Sequence, residues 1–573
     1  MKLSRLGVVS LGLLSGSTLV GGLLGGSVLA GTTRLADHLR AYTSILSAIE
    51  DQYVDAVKSE RLVSASIREM LRTLDPHSNF LETKEYSLLQ ERQRGSYYGL
   101  GITVQSIDGN ITVVAIFEST PAHRLGLRTG DVISKIESED ARGMSIDDAV
   151  KRLRGPKGSS VSIAISRPGY ETPLEFTVIR DEIPLHSVPY YFMLSKKTGY
   201  IRLQDFNETT ACRPSDGPDC ERELERALKS LKEKGATSVV LDIRDNPGGL
   251  LDMAVAVSNL FLKKGQLVVF TRGRQKRDEM ELVTETESRF MELPIVVLVS
   301  RHSASASEIV AGAIQDHDRG LIVGETTFGK GLVQTIIPLK NVRGYALALT
   351  TARYYTPSGR SIQRDYGSTA LEDYVAPRDR KPCGEAGGGE AKLTDAGRKV
   401  YGGDGISPDY CVEPEGASKF LAHLISRQAF LHFSRNFGAS EAVGQAQTIA
   451  GTGSRSEVRQ TNLRIVGRDF EVDDKVLADF KALLKARNIG VDDAEFDANR
   501  EVISHLIQEE VLRQLFGEGA ARRRSVQWDP QVKKALELIP KAELLQKDPK
   551  RYVAEREAQK RMASRAMKEA ERN

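Results

Sequence analysis

Three serines alternate with small residues in Ser303-Ala304-Ser305-Ala306-Ser307-Glu308, and a glycine-flanked lysine follows in Phe328-Gly329-Lys330-Gly331. A hydroxyl and an amine can act as nucleophile and base: the neutral amine takes the hydroxyl proton as the oxygen attacks an acyl carbon. The ordinary lysine pKa is about 10.4, so such a base works near neutral pH only where desolvation favours its uncharged form. The serines follow the apolar run Ile295–Val299 and precede Ile309-Val310-Ala311, which reads as a strand turning into a helix. A hydroxyl at that corner lies near unpaired N–H groups and the positive end of a helix dipole, which favour a developing oxyanion. Serines at such a corner also read, taken alone, as helix caps. A third segment, Leu241-Asp242-Ile243-Arg244-Asp245-Asn246-Pro247-Gly248-Gly249, is a strand entering a glycine-rich turn whose N–H groups can bind an anion. No Ser or Thr follows Lys330, so its segment is not a phosphate-binding P-loop. If the segment is a strand, Lys330, Leu332 and Gln334 share a face.

These segments need a scaffold. With 573 residues the chain has room for roughly three to five domains, and 40% hydrophobic content suffices for several cores. Lys plus Arg number 80 and Asp plus Glu 77, a net +3 that argues against a dedicated nucleic-acid binder. The nine His and four Cys are scattered without CxxC, HExxH or HxH, so no metal site is expected.

Lys2 and Arg5 precede 25 uncharged residues, Leu6 to Ala30, with small residues at Val28-Leu29-Ala30. This suits an export signal over residues 1–31, with an uncleaved membrane anchor over residues 6–30 as the alternative. The expected location is the periplasm, where disulfides are permitted. Four cysteines allow three connectivities. Cys212 and Cys220 bracket a short Pro/Gly-rich stretch, and Cys383–Cys411 would staple a second loop containing Gly387-Gly388-Gly389.

Residues 32–94 read as helical, with Ile45, Ile49 and Tyr53, then Ile67, Leu71 and Leu74, at helical spacing until Asp75-Pro76. Residues 95–182 switch to period two and read as a β-rich module. Strands and helices alternate over 183–414, with Ser238–Ile243 and Ile295–Val299 as buried parallel strands and Cys220–Lys234 as a helix, which implies an α/β layered domain. Residues 415–460 read as a linker and 461–573 as a helical region, with the charged tail after Pro540 solvated or disordered.

Within the β-rich module, Tyr98-Gly99-Leu100-Gly101-Ile102, then Gly126-Leu127-Arg128-Thr129-Gly130-Asp131-Val132-Ile133 and the short helix Ser145–Leu153, together resemble a PDZ domain. That resemblance implies that the backbone N–H groups of Gly99, Leu100, Gly101 and Ile102 receive a peptide's terminal carboxylate while the peptide adds as a strand to a sheet edge. The serine, lysine and glycine segments, with this module before them, resemble the carboxyl-terminal processing peptidases, or tail-specific serine proteases, over residues 40 to 412. The resemblance implies a multidomain α/β protein: a crotonase-like layered protease core with an inserted PDZ domain, N-terminal helices and a C-terminal helical extension. It also implies Ser305 as nucleophile, Lys330 as general base and Gln334 as the group orienting the lysine. The N–H groups of Gly249 and Ala306 would form the oxyanion hole, and Asp316 would be structural.

No cofactor is implied. Partners would be protein substrates engaged through their C-terminal tails, with the PDZ module gating activity, and self-association or an adaptor through the helical regions. A scaffold on an inactive protease fold would not need Ser305, Lys330 and Gln334 together. Ser300-Arg301-His302 stand where the family usually has Asn and Gly. His302 invites a Ser-His pairing, which we discount because the sequence places no carboxylate to orient it.

Overall fold

The computed structural model describes residues 35–167, 170–217, 219–367, 374, 383, 389–435, 437–440 and 464–570. The expected export segment and the linker residues 441–460 lie outside them. No described helix is long and apolar enough to cross a membrane. The chain divides into two units, Met1–Thr83 with Gln334–Thr350, and Lys84–Val333 with Thr351–Asn573.

In the first unit a helix over residues 35–52 is followed by the helix Ser59–Arg72. Asp75 then ends the helical run by accepting from the N–H groups of His77 and Ser78 and the Ser78 hydroxyl, an Asx turn that competes with helix. The released chain forms the short strand Asn79–Leu81, antiparallel to Ala346–Ala348. Phe80 is buried there and stacks on Tyr345, ring centroids 5.5 Å apart.

The β-rich module belongs to the second unit. Its strands run in the order Ile102–Ile107, Asn110–Ile116, Val132–Ile136, Ser160–Ser166, Leu174–Ile179. Alternating side chains such as Ile111, Val113, Ile133, Ile163 and Ile165 fill one core with Ala149 and Leu153 of the helix Ile146–Leu153. Ser145 caps that helix by accepting from the Asp148 N–H at 3.1 Å.

The layered domain is built on a six-stranded sheet in the order Tyr191–Met193, Thr198–Arg202, Ser238–Asp242, Ile295–Val299, Gly320–Gly324, Tyr410–Cys411. All neighbours are parallel except the antiparallel first pair. The strands Ser238–Asp242, Ile295–Val299 and Gly320–Gly324 are buried throughout, as continuous apolar runs covered on both faces must be. One face carries the helices Glu223–Glu233, Leu251–Asn259 and Ala306–Asp316.

The other face differs from expectation. Val240, Val296, Leu298, Leu321 and Val323 meet Val532, Ala535, Leu538, Ala542 and Leu545 of the helix Pro530–Lys547, which continues through Pro540. The helix Pro530–Lys547 is therefore a layer of this domain, so Ala542 and Leu545, just after Pro540, are buried and not solvated, whereas most described residues after Tyr552 are exposed, as expected of a charged solvated helix. A burial-driven stripe at helical spacing outweighs the charged composition around it. A second correction concerns residues 415–434, expected as linker. Lys419–Ser426 and Ala429–Ser434 are helices whose Phe420, Leu424, Phe430 and Phe433 share a core with Val476, Phe480, Leu484, Ile503 and Ile507. Cys212 is bonded to Cys220 and Cys383 to Cys411.

Candidate active site

The strand Ile295–Val299 ends at Ser300, and the chain reverses through Ser303 into the helix Ala306–Asp316. Three serines have distinct surroundings. The Ser303 hydroxyl donates to the Ile243 carbonyl at 2.8 Å, and the Ser307 hydroxyl donates to the Asn246 carbonyl at 2.9 Å; both serines are fully buried. They tie this corner to the glycine-rich turn, as does the Ala304 N–H, which donates to the Asn246 carbonyl at 3.0 Å. Ser305 alone of the three is partly exposed, and its φ is +54°. That left-handed conformation is costly for a side chain with a Cβ and persists only where the surroundings hold it.

What holds it is Glu308. This fully buried carboxylate accepts through Oε2 from the Ser305 N–H at 2.8 Å and from the Lys330 N–H at 2.9 Å. Through Oε1 it accepts from the Gly329 N–H at 2.7 Å and the Thr327 hydroxyl at 2.6 Å. Burial pushes the Glu308 carboxyl up from its ordinary value, and the four donors pull against that shift. Tyr354, also buried, donates its hydroxyl towards the Ser305 carbonyl at 3.2 Å and the Lys330 carbonyl. The serine and lysine backbones are thus bound to the same two side chains.

Lys330 does not lie on a strand, so the condition under which it would share a face with Leu332 and Gln334 is not met; the strand begins at Leu332 and ends at Pro338. Gly329 at φ +88° turns the chain so that successive N–H groups of Gly329 and Lys330 face one carboxylate, a geometry incompatible with strand alternation. Gln334 falls in the other unit, where its side-chain amide donates to the His77 carbonyl.

The glycine-rich turn closes on the nucleophile's corner. Gly248 has φ +94°, and a Cβ there would lie 2.8 Å from the Ser305 Cβ and 2.9 Å from the Ala306 N. Gly249 bridges to Phe206, and a Cβ on it would meet the Phe206 carbonyl at 2.3 Å. Only glycine permits such approaches. Among the described residues neither the Gly249 N–H nor the Ala306 N–H has an acceptor. Asp316, buried at the far end of the helix, accepts from Arg360 and from the Ser358 N–H at 3.0 Å.

Sequence reasoning discounted His302 for want of a carboxylate. The structure supplies one: His302 Nδ1 lies 3.1 Å from Asp245 Oδ1. Asp245 is distant in sequence, so only the folded turn reveals the pair. Glu308 was missed as a functional residue, although a lone carboxylate three positions after a serine, at the head of an apolar helix, is a detectable signal of a buried acceptor.

In the β-rich module, Leu100 and Gly101 form a loop between the strands Ser96–Gly99 and Ile102–Ile107. Gly101 has φ +83°, and a Cβ there would lie 2.3 Å from the Thr120 Cβ. The N–H groups of Leu100 and Gly101 have no acceptor among the described residues. Among the described residues Ile102–Ile107 is one of the two end strands of its sheet, which leaves one side of its backbone available to a further strand.

Comparison with known proteins agrees with this architecture. Residues 197–370 match the model of peptidase family S41, and residues 112–167 match that of the PDZ domain. The carboxy-terminal-processing protease of Bartonella bacilliformis is 41% identical over 325 residues, covering 57% of this chain and 72% of that protein. The carboxyl-terminal-processing protease of Synechocystis sp. is 36% identical over 323 residues, covering 55% and 72%. The carboxy-terminal processing protease CtpA of Bacillus subtilis is 33% identical over 317 residues, covering 55% and 65%.

Proposed function

Because this chain belongs to the carboxy-terminal-processing serine proteases of peptidase family S41 and carries a PDZ domain, we propose that Ser305 is its nucleophile and Lys330 its general base. The observation that carries the assignment is the shared carboxylate oxygen of Glu308, which accepts from the N–H groups of both residues. In this reading the neutral Lys330 amine takes the Ser305 hydroxyl proton as the oxygen attacks a peptide carbonyl. The N–H groups of Gly249 and Ala306 receive the negative charge of the tetrahedral intermediate. The lysine then gives its proton to the departing amine, and water, deprotonated in turn, releases the acyl group from Ser305.

The substrates are exported proteins cut at or near their C-termini. Their tail carboxylate is received by the loop Gly99-Leu100-Gly101-Ile102, and the tail pairs with the edge strand Ile102–Ile107; the open N–H groups of Leu100 and Gly101 support this. The module gates the site, so removal of residues 95–182 is expected to raise basal activity. The uncharged run from Leu6 to Ala30 supports action in the periplasm, with an inner-membrane anchor at residues 6–30 as the alternative. Leu35, Leu39, Tyr42 and Ile49 are exposed along the helix over residues 35–52, which supports self-association through it.

A fluorophosphonate probe tests the nucleophile. Labelling that maps to Ser305 and disappears in Ser305→Ala is the expected result. Labelling at another serine, with peptide cleavage retained in Ser305→Ala, would refute the assignment.

A further inference from the structure

The segment before the nucleophile, Ser300-Arg301-His302, stands where family resemblance leads one to expect Asn and Gly. Its side chains reach two other loops of the site. Arg301 Nε donates to Glu325 Oε1 at 2.7 Å, and its Nη2 donates to the same oxygen. Glu325 is buried, five positions before Lys330, on the loop that carries the lysine. Glu413 Oε2 stands 3.5 Å from the same guanidinium.

On the opposite side, the Ser300 hydroxyl accepts from the Asp245 N–H at 2.9 Å and donates to Asp245 Oδ1 at 2.9 Å. Asp245 opens the turn that ends at Gly249, and its φ of +54° needs such fastening. Ser300 is buried, so losing its hydroxyl would leave the Asp245 N–H without its acceptor. The His302–Asp245 pair is different: its side chains are 67% and 64% exposed, where an ion pair contributes little.

We propose that Arg301 and Ser300 are positioning residues of the protease. Arg301 holds the lysine-bearing loop, and Ser300 the oxyanion-hole turn, against the loop that carries the nucleophile. Neither touches the Ser305 hydroxyl in this scheme. They act by keeping base, nucleophile and oxyanion donors in one register, which matters because an ~1 Å misplacement can cost on the order of 100-fold in rate. The fork of Arg301 lies on a buried carboxylate, so it is less screened than a surface pair. The proposal rests on the Ser305–Lys330 assignment.

The test is steady-state cleavage of β-casein by Arg301→Ala, Arg301→Lys, Glu325→Gln, Ser300→Ala and His302→Ala, with Lys330→Ala alongside and thermal unfolding as a check of folding. Arg301→Ala and Ser300→Ala are expected to lower kcat about 10- to 100-fold with KM changed less than about twofold. Arg301→Lys should recover part of the loss, since an ammonium keeps the charge but not the fork. His302→Ala should leave both constants near those of the unaltered protein. If Arg301→Ala does not fold, Arg301→Lys and Glu325→Gln carry the test, and both should show reduced kcat. A lowered melting temperature with unchanged kcat in these variants would overturn the proposal and leave a merely stabilising ion pair. Retained cleavage in Lys330→Ala would instead remove the dyad, independently of what Arg301 does.

Discussion

Ser305 and Lys330 donate their backbone N–H groups to one oxygen atom, Glu308 Oε2, at 2.8 and 2.9 Å. The two nitrogens can therefore be no further apart than those two bonds laid end to end. Glu308 holds the loop before the lysine with its other oxygen. Glu308→Ala removes the acceptor of four donors at once, and each buried orphan costs about 1–3 kcal/mol. The expected outcome is a fall in kcat of about 100-fold or more, together with reduced stability. Glu308→Gln, which keeps one acceptor oxygen, should be intermediate in both, as measured by casein cleavage and urea unfolding.

Asp242 joins the core sheet to the C-terminal layer. Its fully buried carboxylate accepts from the Tyr200 hydroxyl at 2.6 Å and from Arg202 and Arg244, with Arg522 3.4 Å away. Arg244 in turn reaches Asp529 and Gln531, each at 2.7 Å, at the start of the helix Pro530–Lys547. Burial disfavours the charged form, but Arg244, Arg202 and Arg522 hold the Asp242 carboxyl well below the usual range. A depressed carboxylate contributes stability above its unfolded value of about 3.9, lost only as pH falls through the folded value. Asp242→Asn leaves arginines buried without their charge partner and is expected to cost about 3–5 kcal/mol in urea unfolding at neutral pH.

Leu538 is nearly fully buried between the helix Pro530–Lys547 and the sheet. Leu538→Ala should destabilise the protein by about 2–5 kcal/mol in the same measurement. A leucine left exposed on a helix surface would tolerate the change within about 0.5 kcal/mol.

His186 offers a pH-dependent prediction. Its Nδ1 lies 3.0 Å from Glu223 Oε1, and that hydrogen bond raises the His186 pKa against the effect of partial burial. A raised histidine pKa means that the pair's stabilisation is fully present below about pH 6.5 and is lost as pH rises through the folded value. His186→Ala should therefore lower the melting temperature more at about pH 5.5 than at about pH 8.5.

Much of the site was legible because its residues lie in short contiguous segments. Ile295–Val299 is a continuous apolar run, and Ser305, Lys330 and Gly249 sit beside glycines and small residues whose spacing marks a crowded corner. The binding of Ser305 and Lys330 to Glu308 was not legible, since it depends on a tertiary approach between the helix Ala306–Asp316 and the loop before Leu332. The same holds for Asp245 and His302. The helices Lys419–Ser426 and Ala429–Ser434 were obscured because their apolar partners, Phe480 and Ile503 among them, come from a distant part of the chain. In the C-terminal layer, Val532, Ala535, Leu538, Ala542 and Leu545 keep helical spacing, but Pro540 and the charges beyond it read as the start of a solvated or disordered tail.

The most direct test of the central claim is cleavage of β-casein by Lys330→Arg, purified beside the unaltered protein and matched to it in thermal unfolding. An arginine preserves charge and length but stays protonated across the working pH range. A neutral amine acting as the base predicts that cleavage falls to the level of Ser305→Ala. Turnover by Lys330→Arg comparable with that of the unaltered protein would contradict the account.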